Sequence, residues 1–380
     1  MNVLILGTAY PMRGGIAHFI ALLASHLKKR HRPQIFSFTR QYPSFLFPGK
    51  TQMEEGEPGI KVDAQAEIDS INPFNWIRVG LKARRLNPDV ILYKYWLPFF
   101  GPCFGTICAI ARWHRPTRVI ALCDNVIPHE KRPGDRLFTK YAFAFTDGFI
   151  VMSDAVERDL HRMVAHPSYR KAAHPVYEIF GEALSKPEAR ERIGIGAESE
   201  TLLFFGYVRK YKGLHVLIDA MKRLKVLRPK LVLLVVGEYY GDEAEYRAQI
   251  AEAGLEDVIR VHSDYVPNER VAEYFCAADA VILPYLSATQ SGIAQIAYQF
   301  DKPVIATNVG GLAEVVVDGV SGLITPPEDP EAIVSAVMRF YDESMEARLA
   351  SGAKEEKKKY TWDALIGAIE ALADAPRAHS

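Results

Sequence analysis

The amino-acid sequence predicts an α/β protein made of two domains, each with a doubly wound parallel sheet. The chain has 380 residues, more than one hydrophobic core usually organises. Short β-branched runs alternate with amphipathic helical patterns, and the alternation starts again in the second half. Residues 174–188 contain proline, glycine and charges without periodicity. We therefore predict an N-terminal domain over residues 1–174 and a C-terminal domain over residues 175–360.

The first half contains five predicted strands and a helix that opens directly after the first strand. The helix begins at Gly15, and its apolar residues recur at helical spacing, which indicates one buried stripe. These residues are Ile16, Phe19, Ile20, Leu23 and Leu27. The predicted strands cover residues 3–6, 34–38, 90–93, 119–122 and 149–152.

The second half repeats the same rhythm of strands and helices. Apolar strands of this kind are typical of parallel sheets that are covered on both faces. We expect the last amphipathic helix, residues 361–376, to pack back on the N-terminal domain. The predicted strands cover residues 202–205, 231–236, 258–261, 280–283 and 304–306.

The composition is that of an ordinary globular protein. Apolar residues make up 49%, charged residues 24%, and the formal net charge is zero, which argues against a nucleic-acid partner. Four cysteines without metal-finger spacing fit a reducing compartment, and residues 1–7 form a strand pattern rather than a signal peptide. We expect a cytoplasmic protein.

The most apolar stretch, residues 96–113, is predicted to be a buried helix. Pro98, Gly101, Pro102 and Gly105 interrupt it, and it is barely long enough to cross a bilayer. At most, we expect a peripheral contact with the inner face of a membrane.

Ligands of doubly wound sheets bind beyond the carboxyl ends of the strands, so the loops there carry the chemistry. The first such loop is GTAYPMRGG, residues 7–15, where Gly14 and Gly15 let backbone amides approach a phosphate or sugar at a helix start. The three-glycine dinucleotide spacing is missing. A simple tight turn is an equally good interpretation.

The second loop is GYVRKYKG, which begins at Gly206 and ends at Gly213. Arg209 and Lys212 follow a buried strand here, and two such cations can clamp a pyrophosphate. The alternative is a solvated basic turn.

The third loop is LSATQSG, residues 286–292, which precedes a predicted helix over residues 293–300. Small and polar residues at a helix start make an anion site from free backbone N–H groups. Ser291 has the alternative role of an N-cap. The proposed donor-binding residues of this loop are Thr289, Gln290, Ser291 and Gly292.

These loops, in this order, carry a resemblance over residues 202–343. That segment resembles the donor-binding domain of glycosyltransferase family 4, whose members are retaining enzymes with the GT-B fold, two Rossmann-like domains facing a central cleft. The first half resembles the family more weakly. The matching features are Lys212-Gly213, Val236-Gly237-Glu238, Ala277-Ala278-Asp279, Pro284 and KPVIATNVGGLAEVV from Lys302, and in the first half Gly14-Gly15, His18 and CDNVIPHE from Cys123.

The sequence departs from the family at two positions. Members usually carry two glutamates just before the KPVIAT strand, and an ungapped alignment places Ala288 and Ile296 there. Either the site has decayed, or the hydroxyl, amide and backbone donors of the TQSG loop hold the sugar and phosphates instead. We favour the second explanation, because the basic loop is retained and TQSG resembles a variant of some bacterial members.

The resemblance implies transfer of a sugar, with retention of configuration, from a UDP- or GDP-linked donor to a glycan or lipid-linked acceptor in bacterial surface polysaccharide synthesis. Arg209 and Lys212 are expected to stabilise the leaving diphosphate. The chain has no Asp-x-Asp sequence, so neither a metal nor another cofactor is predicted. The alternatives are a silent nucleotide-sugar-binding or scaffold protein and a GT-B nucleotide-sugar epimerase.

Two further polar residues are candidates for the site. His129 lies beyond the fourth strand of the first half, where an imidazole can contact the sugar or orient the acceptor hydroxyl. Asp124 shares that loop. Glu238 is placed to bind the donor through its ribose or base. The alternatives are a histidine in a Pro-His-Glu turn and a solvated turn glutamate.

Overall fold

The computed structural model describes residues 1–43, 52–53, 60–128, 132–241 and 243–376. The chain forms two compact units. Unit 1 comprises Met1–Pro175 and Thr361–Ser380, and unit 2 comprises Val176–Tyr360.

Unit 1 contains a seven-stranded sheet with strand order β3-β2-β1-β4-β5-β6-β7. All neighbouring strands are parallel. The chain visits both sides of β1, which makes the sheet doubly wound. The strands are β1 Asn2–Leu6, β2 Arg32–Arg40, β3 Ala64–Asp69, β4 Val90–Tyr95, β5 Arg118–Cys123, β6 Gly148–Val151 and β7 Tyr169–Lys171.

Helices cover the sheet of unit 1 because the crossovers that follow β1, β3, β4, β5 and β6 are each helical. Their ends show ordinary capping chemistry: the Asn72 side chain accepts from the backbone N–H groups of Phe74 and Asn75 at the start of α2, and Ser153 accepts from Val156 at the start of α5. The helices are α1 Gly15–Leu27, α2 Pro73–Leu86, α3 Gly101–Arg112, α4 Asp135–Phe143 and α5 Asp154–Met163.

Unit 2 contains a six-stranded sheet with strand order β10-β9-β8-β11-β12-β13. It too is entirely parallel. The strands are β8 Glu200–Phe205, β9 Leu231–Val236, β10 Ile259–His262, β11 Ala280–Leu283, β12 Val304–Thr307 and β13 Gly322–Thr325. The two-domain parallel α/β fold predicted from the sequence is thus confirmed.

The remaining helices belong to unit 2, except the last. They are α6 Lys186–Arg192, α7 Leu214–Leu227, α8 Glu243–Glu252, α9 Asn268–Ala277, α10 Gly292–Gln299, α11 Leu312–Val315, α12 Pro330–Asp342, α13 Glu346–Glu356 and α14 Trp362–Asp374. Helix α14 follows unit 2 in the chain but packs in unit 1, where Trp362 lies 5.3 Å from the ring of Phe19 and Leu372 contacts Gly148.

The apolar stretch of residues 96–113 forms a short 3₁₀ turn at Pro98–Phe100 followed by α3, so its assignment as a buried helix is confirmed. In the described part of the chain, no helix combines the length and the apolar character needed to cross a membrane.

Candidate functional site

The loops after β8 and β9 are joined at the carboxyl edge of the sheet in unit 2. Val208 N donates to the Glu238 carbonyl at 2.8 Å, and Tyr240 N donates to the Val208 carbonyl at 3.0 Å. This short ladder continues the parallel pairing of the two strands beyond their ends. The second candidate loop and Glu238 therefore form one surface.

The loop after β8 also touches the segment after β11. Gly213 adopts a φ of 71°, and a Cβ atom there would lie 1.9 Å from the Pro284 carbonyl oxygen. The same two segments are also joined by a hydrogen bond, in which Leu286 N donates to the Tyr211 carbonyl at 2.7 Å. Only glycine fits this approach, so the sequence places Lys212 directly beside the β11 loop.

Lys212 is a buried cation in this cluster, with a relative exposure of 8%. Its Nζ lies 5.7 Å from the centroid of the Tyr285 ring, and a Cβ atom on Gly206 would be 3.3 Å from it. Among the described residues the ammonium makes no hydrogen bond and no ion pair. Burial, and secondly the charge of Arg209, lower the pKa of Lys212 to about 7.

Arg209 is half-buried and is held by aromatic rings. Its guanidinium carbon lies 4.8 Å from the ring centroid of Tyr240 and 5.9 Å from that of Tyr211. Tyr207 packs edge-on against Tyr240 at 4.8 Å. Stacking of this kind fixes the plane of the guanidinium, and a guanidinium is the side chain best suited to bind an oxyanion through paired hydrogen bonds.

The third candidate loop ends at the first turn of α10. Thr289 and Ser291 are buried, with exposures of 8% and 6%, and α10 begins at Gly292. Ser291 occupies the N-cap position of α10, as the alternative considered for it predicted, but its side chain makes no capping hydrogen bond. The first turn of α10 contains no acidic residue, which leaves its positive end uncompensated.

Glu238 and the two positions where relatives carry glutamates, Ala288 and Ile296, are all buried. Glu238 is only 6% exposed, so the alternative of a solvated turn glutamate is wrong. Ala288 and Ile296 are buried as well, at 7% and 6%. Gly310 approaches the Ala288 backbone so closely that a Cβ atom there would lie 1.5 Å from the Ala288 carbonyl oxygen.

The sequence analysis missed Gln295. This glutamine lies one turn inside α10, is 1% exposed, and its Oε1 has no hydrogen-bond partner among the described residues. A buried acceptor without a donor costs about 1–3 kcal/mol. The only sequence signal was a glutamine between the apolar residues Ala294 and Ile296, next to a position where relatives carry a glutamate.

The remaining candidates belong to unit 1. Gly14 and Gly15 lie where α1 begins, as predicted. His129 lies outside the described residues. Asp124 follows β5 and pairs with Lys94 at 2.7 Å.

Lys94 is a second buried lysine that the sequence analysis missed. It is 1% exposed, and its Nζ lies 3.4 Å from the centroid of the Phe19 ring. Burial lowers the pKa of Lys94, although the charge of Asp124 opposes this change. In contrast to Lys212, this lysine has a carboxylate partner within the protein.

The arrangement in unit 2 suits a phosphate-containing anion. In the part of unit 2 that the structure describes, three neighbouring loops bring together a buried ammonium without a carboxylate, a stacked guanidinium and the N–H groups of a helix start.

Comparison with known proteins finds related glycosyltransferases. The model of the family described as "Glycosyl transferases group 1" matches residues 185–358. A D-inositol 3-phosphate glycosyltransferase from Xylanimonas cellulosilytica is 32% identical over 194 residues, covering 50% of this chain and 45% of the relative. Another, from Nocardioides sp., is 30% identical over 327 residues, covering 75% of this chain and 68% of the relative. The chain thus spans about half the length of the first relative and two thirds of the second.

Among solved structures, Anabaena HepE in complex with UDP is similar with a TM-score of 0.75 and 18% identity, covering 99% of this chain and 100% of that protein. The same protein has also been solved with UDP-glucose. At this identity the likeness concerns the fold. Together with the family match and the 30% identity over most of the chain, it leads to one conclusion: the chain belongs to the group 1 glycosyltransferases and has their GT-B fold.

Proposed function

We propose that this chain is a retaining glycosyltransferase that moves a sugar from a UDP- or GDP-linked donor to a glycan or lipid-linked acceptor in bacterial surface polysaccharide synthesis. The proposal extends the family assignment to a reaction and its substrates. The Anabaena protein of the same fold was solved with UDP and with UDP-glucose, which favours a nucleotide-sugar donor here.

Lys212 is the observation that carries the proposal. An ammonium buried without a carboxylate is unfavourable by several kcal/mol unless an anion compensates it. The diphosphate of a nucleotide-sugar supplies that anion. Arg209 contributes a second positive charge from the same loop, and the first turn of α10 contributes backbone N–H groups.

In the proposed reaction, the bond between the anomeric carbon and the diphosphate breaks, and a bond from the acceptor oxygen forms on the same face of the sugar. The acceptor proton leaves towards the departing diphosphate. Lys212 and Arg209 stabilise the charge that develops on this leaving group, by about 3 kcal/mol for each well-placed donor. The roles that the sequence predicts for His129, Gly14 and Gly15, which belong to unit 1, stay predictions.

The missing glutamates require another set of contacts to the sugar and ribose. We assign these contacts to Thr289, Gln290, Ser291 and Glu238, and we add Gln295 because its buried Oε1 can accept from a sugar hydroxyl. Neither a metal nor another cofactor is part of the proposal. In this proposal, the positive charges of Lys212 and Arg209 balance the charge of the diphosphate, as a metal ion does in other enzymes.

The donor is identified by a thermal-shift screen of UDP-, GDP- and ADP-sugars in the presence of a chelator. A ligand at 100 times its Kd stabilises a protein by about 2.7 kcal/mol. We expect one nucleotide family to stabilise the wild type and to lose that effect in Lys212→Met and in Arg209→Ala. Lys230→Met, which changes an exposed lysine of unit 2 outside the site, serves as the control and should behave as the wild type.

Product analysis then separates the possible activities. Transfer to an acceptor with the anomeric configuration of the donor supports the proposal. Release of an altered free sugar without acceptor would identify an epimerase, and donor binding without turnover would identify a silent binding protein. Absence of stabilisation by every nucleotide-sugar would contradict the assignment of Lys212.

A further inference from the structure

Helices α2, α3 and α4 form one layer on a single face of the sheet in unit 1. Their inward residues share one hydrophobic core with β1, β4 and β5. Glycines allow the helices to pack closely: a Cβ atom on Gly80 of α2 would lie 2.8 Å from Ile110 Cβ of α3, and one on Gly105 of α3 would lie 2.7 Å from the Tyr141 ring of α4. The outward sides of these helices therefore make one continuous surface.

This surface is unusually apolar for a solvent-facing layer. On α2, Phe74, Ile77 and Leu81 follow one another at helical spacing with exposures of 83%, 45% and 41%. On α4, Leu137, Phe138 and Tyr141 are exposed by 68%, 36% and 39%. We call these six residues the apolar face. Exposed apolar patches of this kind mark interaction sites.

Positive charge surrounds the apolar face. The three helices contain a single acidic residue, Asp135, whose Oδ2 accepts from the backbone N–H of Arg132 at 2.7 Å. Arg78 and Lys82 are already paired with Glu67 of β3. Other cations make no ion pair or hydrogen bond through their side chains among the described residues, and these are Arg85, Arg132, Arg136 and Lys140.

Aromatic residues complete the surface. Trp113 follows the end of α3, is 60% exposed, and lies 5.5 Å from the guanidinium of Arg84. Tyrosine and tryptophan side chains favour the boundary between water and hydrocarbon, because each combines an apolar ring with one polar group. The Tyr141 hydroxyl bonds to Thr106 at 3.0 Å, which fixes its ring in the layer.

We propose that the apolar face binds the surface of a bilayer that contains anionic phospholipids. The six apolar side chains insert into the boundary between headgroups and acyl chains, and Arg132, Arg136 and Lys140 contact lipid phosphates. A second copy of this chain fits less well, because a two-fold contact would bring together two surfaces that both carry positive charge. The inference does not depend on the reaction proposed above.

The test is co-sedimentation of the full-length protein with two kinds of vesicle, phosphatidylcholine alone and equimolar phosphatidylcholine and phosphatidylglycerol. We expect binding to the anionic vesicles to exceed binding to the neutral ones. A Phe74→Glu, Leu137→Glu double variant changes two of the most exposed residues of the face, so its fold is spared. It should lose at least about tenfold in partition because it removes apolar contact and adds negative charge.

Matched controls lie in unit 2. Val226→Glu alters an equally exposed apolar residue, 77% exposed, outside the face and should bind as the wild type. An Arg136→Gln, Lys140→Gln variant should lose roughly fivefold for each cation removed, whereas Lys230→Gln with Lys354→Gln should not. The same vesicle assay measures all of them.

The opposite results are equally clear. Wild-type protein that remains in solution with anionic vesicles, or variants of the face that sediment as strongly as Val226→Glu, would overturn the proposal. A concentration-dependent dimer that the Phe74→Glu, Leu137→Glu variant abolishes, without vesicle binding, would assign the face to a second copy instead. Donor stabilisation in the thermal screen tests the reaction separately.

Discussion

At the scale of single residues, two buried lysines of the same chain differ in how their charge is balanced. Lys94 in unit 1 has Asp124 at 2.7 Å, whereas among the described residues Lys212 in unit 2 has aromatic and backbone neighbours and no carboxylate. A lysine of the first kind holds a structure together, and one of the second kind awaits an external anion. Because the charge of Lys212 is balanced only when an anion binds, the protonation state of Lys212 can be measured through ligand binding.

We expect the affinity for the nucleotide-sugar to fall as the pH rises above about 7. Burial lowers the pKa of Lys212 in the free protein to about 7, and a bound diphosphate raises it again. Below that pH the ammonium is already charged and affinity is at its maximum. Above it a proton must be taken up on binding, so affinity should fall about tenfold per pH unit. Isothermal titration in buffers of different ionisation enthalpy measures both quantities.

Lys212→Met provides the comparison for this pH dependence. Its residual binding should be weak and should take up no proton, since the titrating group is gone. Equal pH slopes in the wild type and Lys212→Met would show that another group is responsible.

The residues that the sequence could identify were those whose position in the chain reveals their position in space. Arg209 and Lys212 follow a strand of a parallel sheet, and every such loop lies at the same edge. Lys94 and Gln295 lie inside regular elements, where only three-dimensional burial shows that a polar side chain is surrounded by apolar neighbours. No local pattern distinguishes Lys94 from an exposed lysine, and the only sequence signal for Gln295 was its two apolar neighbours.

At the scale of elements, the site depends on turns that bring the loops after β8 and β11 into contact. Gly213 separates the basic loop from α7, and its φ of 71° and its contact with Pro284 leave no room for a side chain. Gly319 has nearly the same φ, 70°, but a Cβ atom there would meet nothing within 4 Å. Comparing substitutions at the two glycines therefore distinguishes the cost of backbone strain, which both share, from the cost of the close contact, which only Gly213 has.

We expect Gly213→Ala to destabilise unit 2 by more than Gly319→Ala. Both pay about 1 kcal/mol for the left-handed backbone, and Gly213→Ala adds the displacement of Pro284, typically about 1–3 kcal/mol more. Chemical denaturation followed by far-UV circular dichroism measures the difference. Gly213→Ala should also weaken nucleotide-sugar binding, because Lys212 precedes the shifted turn. Equal losses of stability in the two variants would contradict the role assigned to the Pro284 contact.

The same scale shows which elements a sequence reveals. Strands with continuous apolar runs, such as β1 and β9, were predicted close to their observed bounds, because a central parallel strand is buried on both faces. Strand β3, with the sequence AQAEID, was missed because it is an edge strand in which only Ile68 is buried. Strand β7 has only three residues and leaves no periodic signal.

At the scale of the whole molecule, helix α14 connects the last part of the chain to the first unit. Its buried stripe consists of Trp362, Leu365, Ile366, Ile369 and Leu372. Trp362 stacks on His26 at 5.3 Å and contacts Phe19, so α14 covers α1 as well as the sheet. The core of unit 1 therefore includes residues from both ends of its sequence range.

We expect Leu365→Ala to lower the free energy of unfolding of unit 1 by about 2–5 kcal/mol while leaving unit 2 unchanged. All four tryptophans of the chain, Trp76, Trp96, Trp113 and Trp362, belong to unit 1, so their fluorescence follows the unfolding of that unit alone. Asp363→Ala is the control, since this side chain is 84% exposed and its ion pair with Arg30 is worth at most about 1 kcal/mol.

At some denaturant concentrations the tryptophan fluorescence of Leu365→Ala will have changed while that of the wild type has not. If Leu365→Ala also loses nucleotide-sugar binding there, the two units do not unfold independently. Retained stability of unit 1 in Leu365→Ala would contradict the structural role of α14.

The position of α14 also has a consequence for biosynthesis. Unit 2 is one continuous segment, whereas unit 1 lacks a layer of its core until residues after Tyr360 have been translated. On the ribosome, the unit that is started second can therefore finish folding first, and the nascent N-terminal half emerges with an uncovered hydrophobic flank. During that interval a chaperone holding Phe19 and its neighbours would occupy the place that α14 later takes.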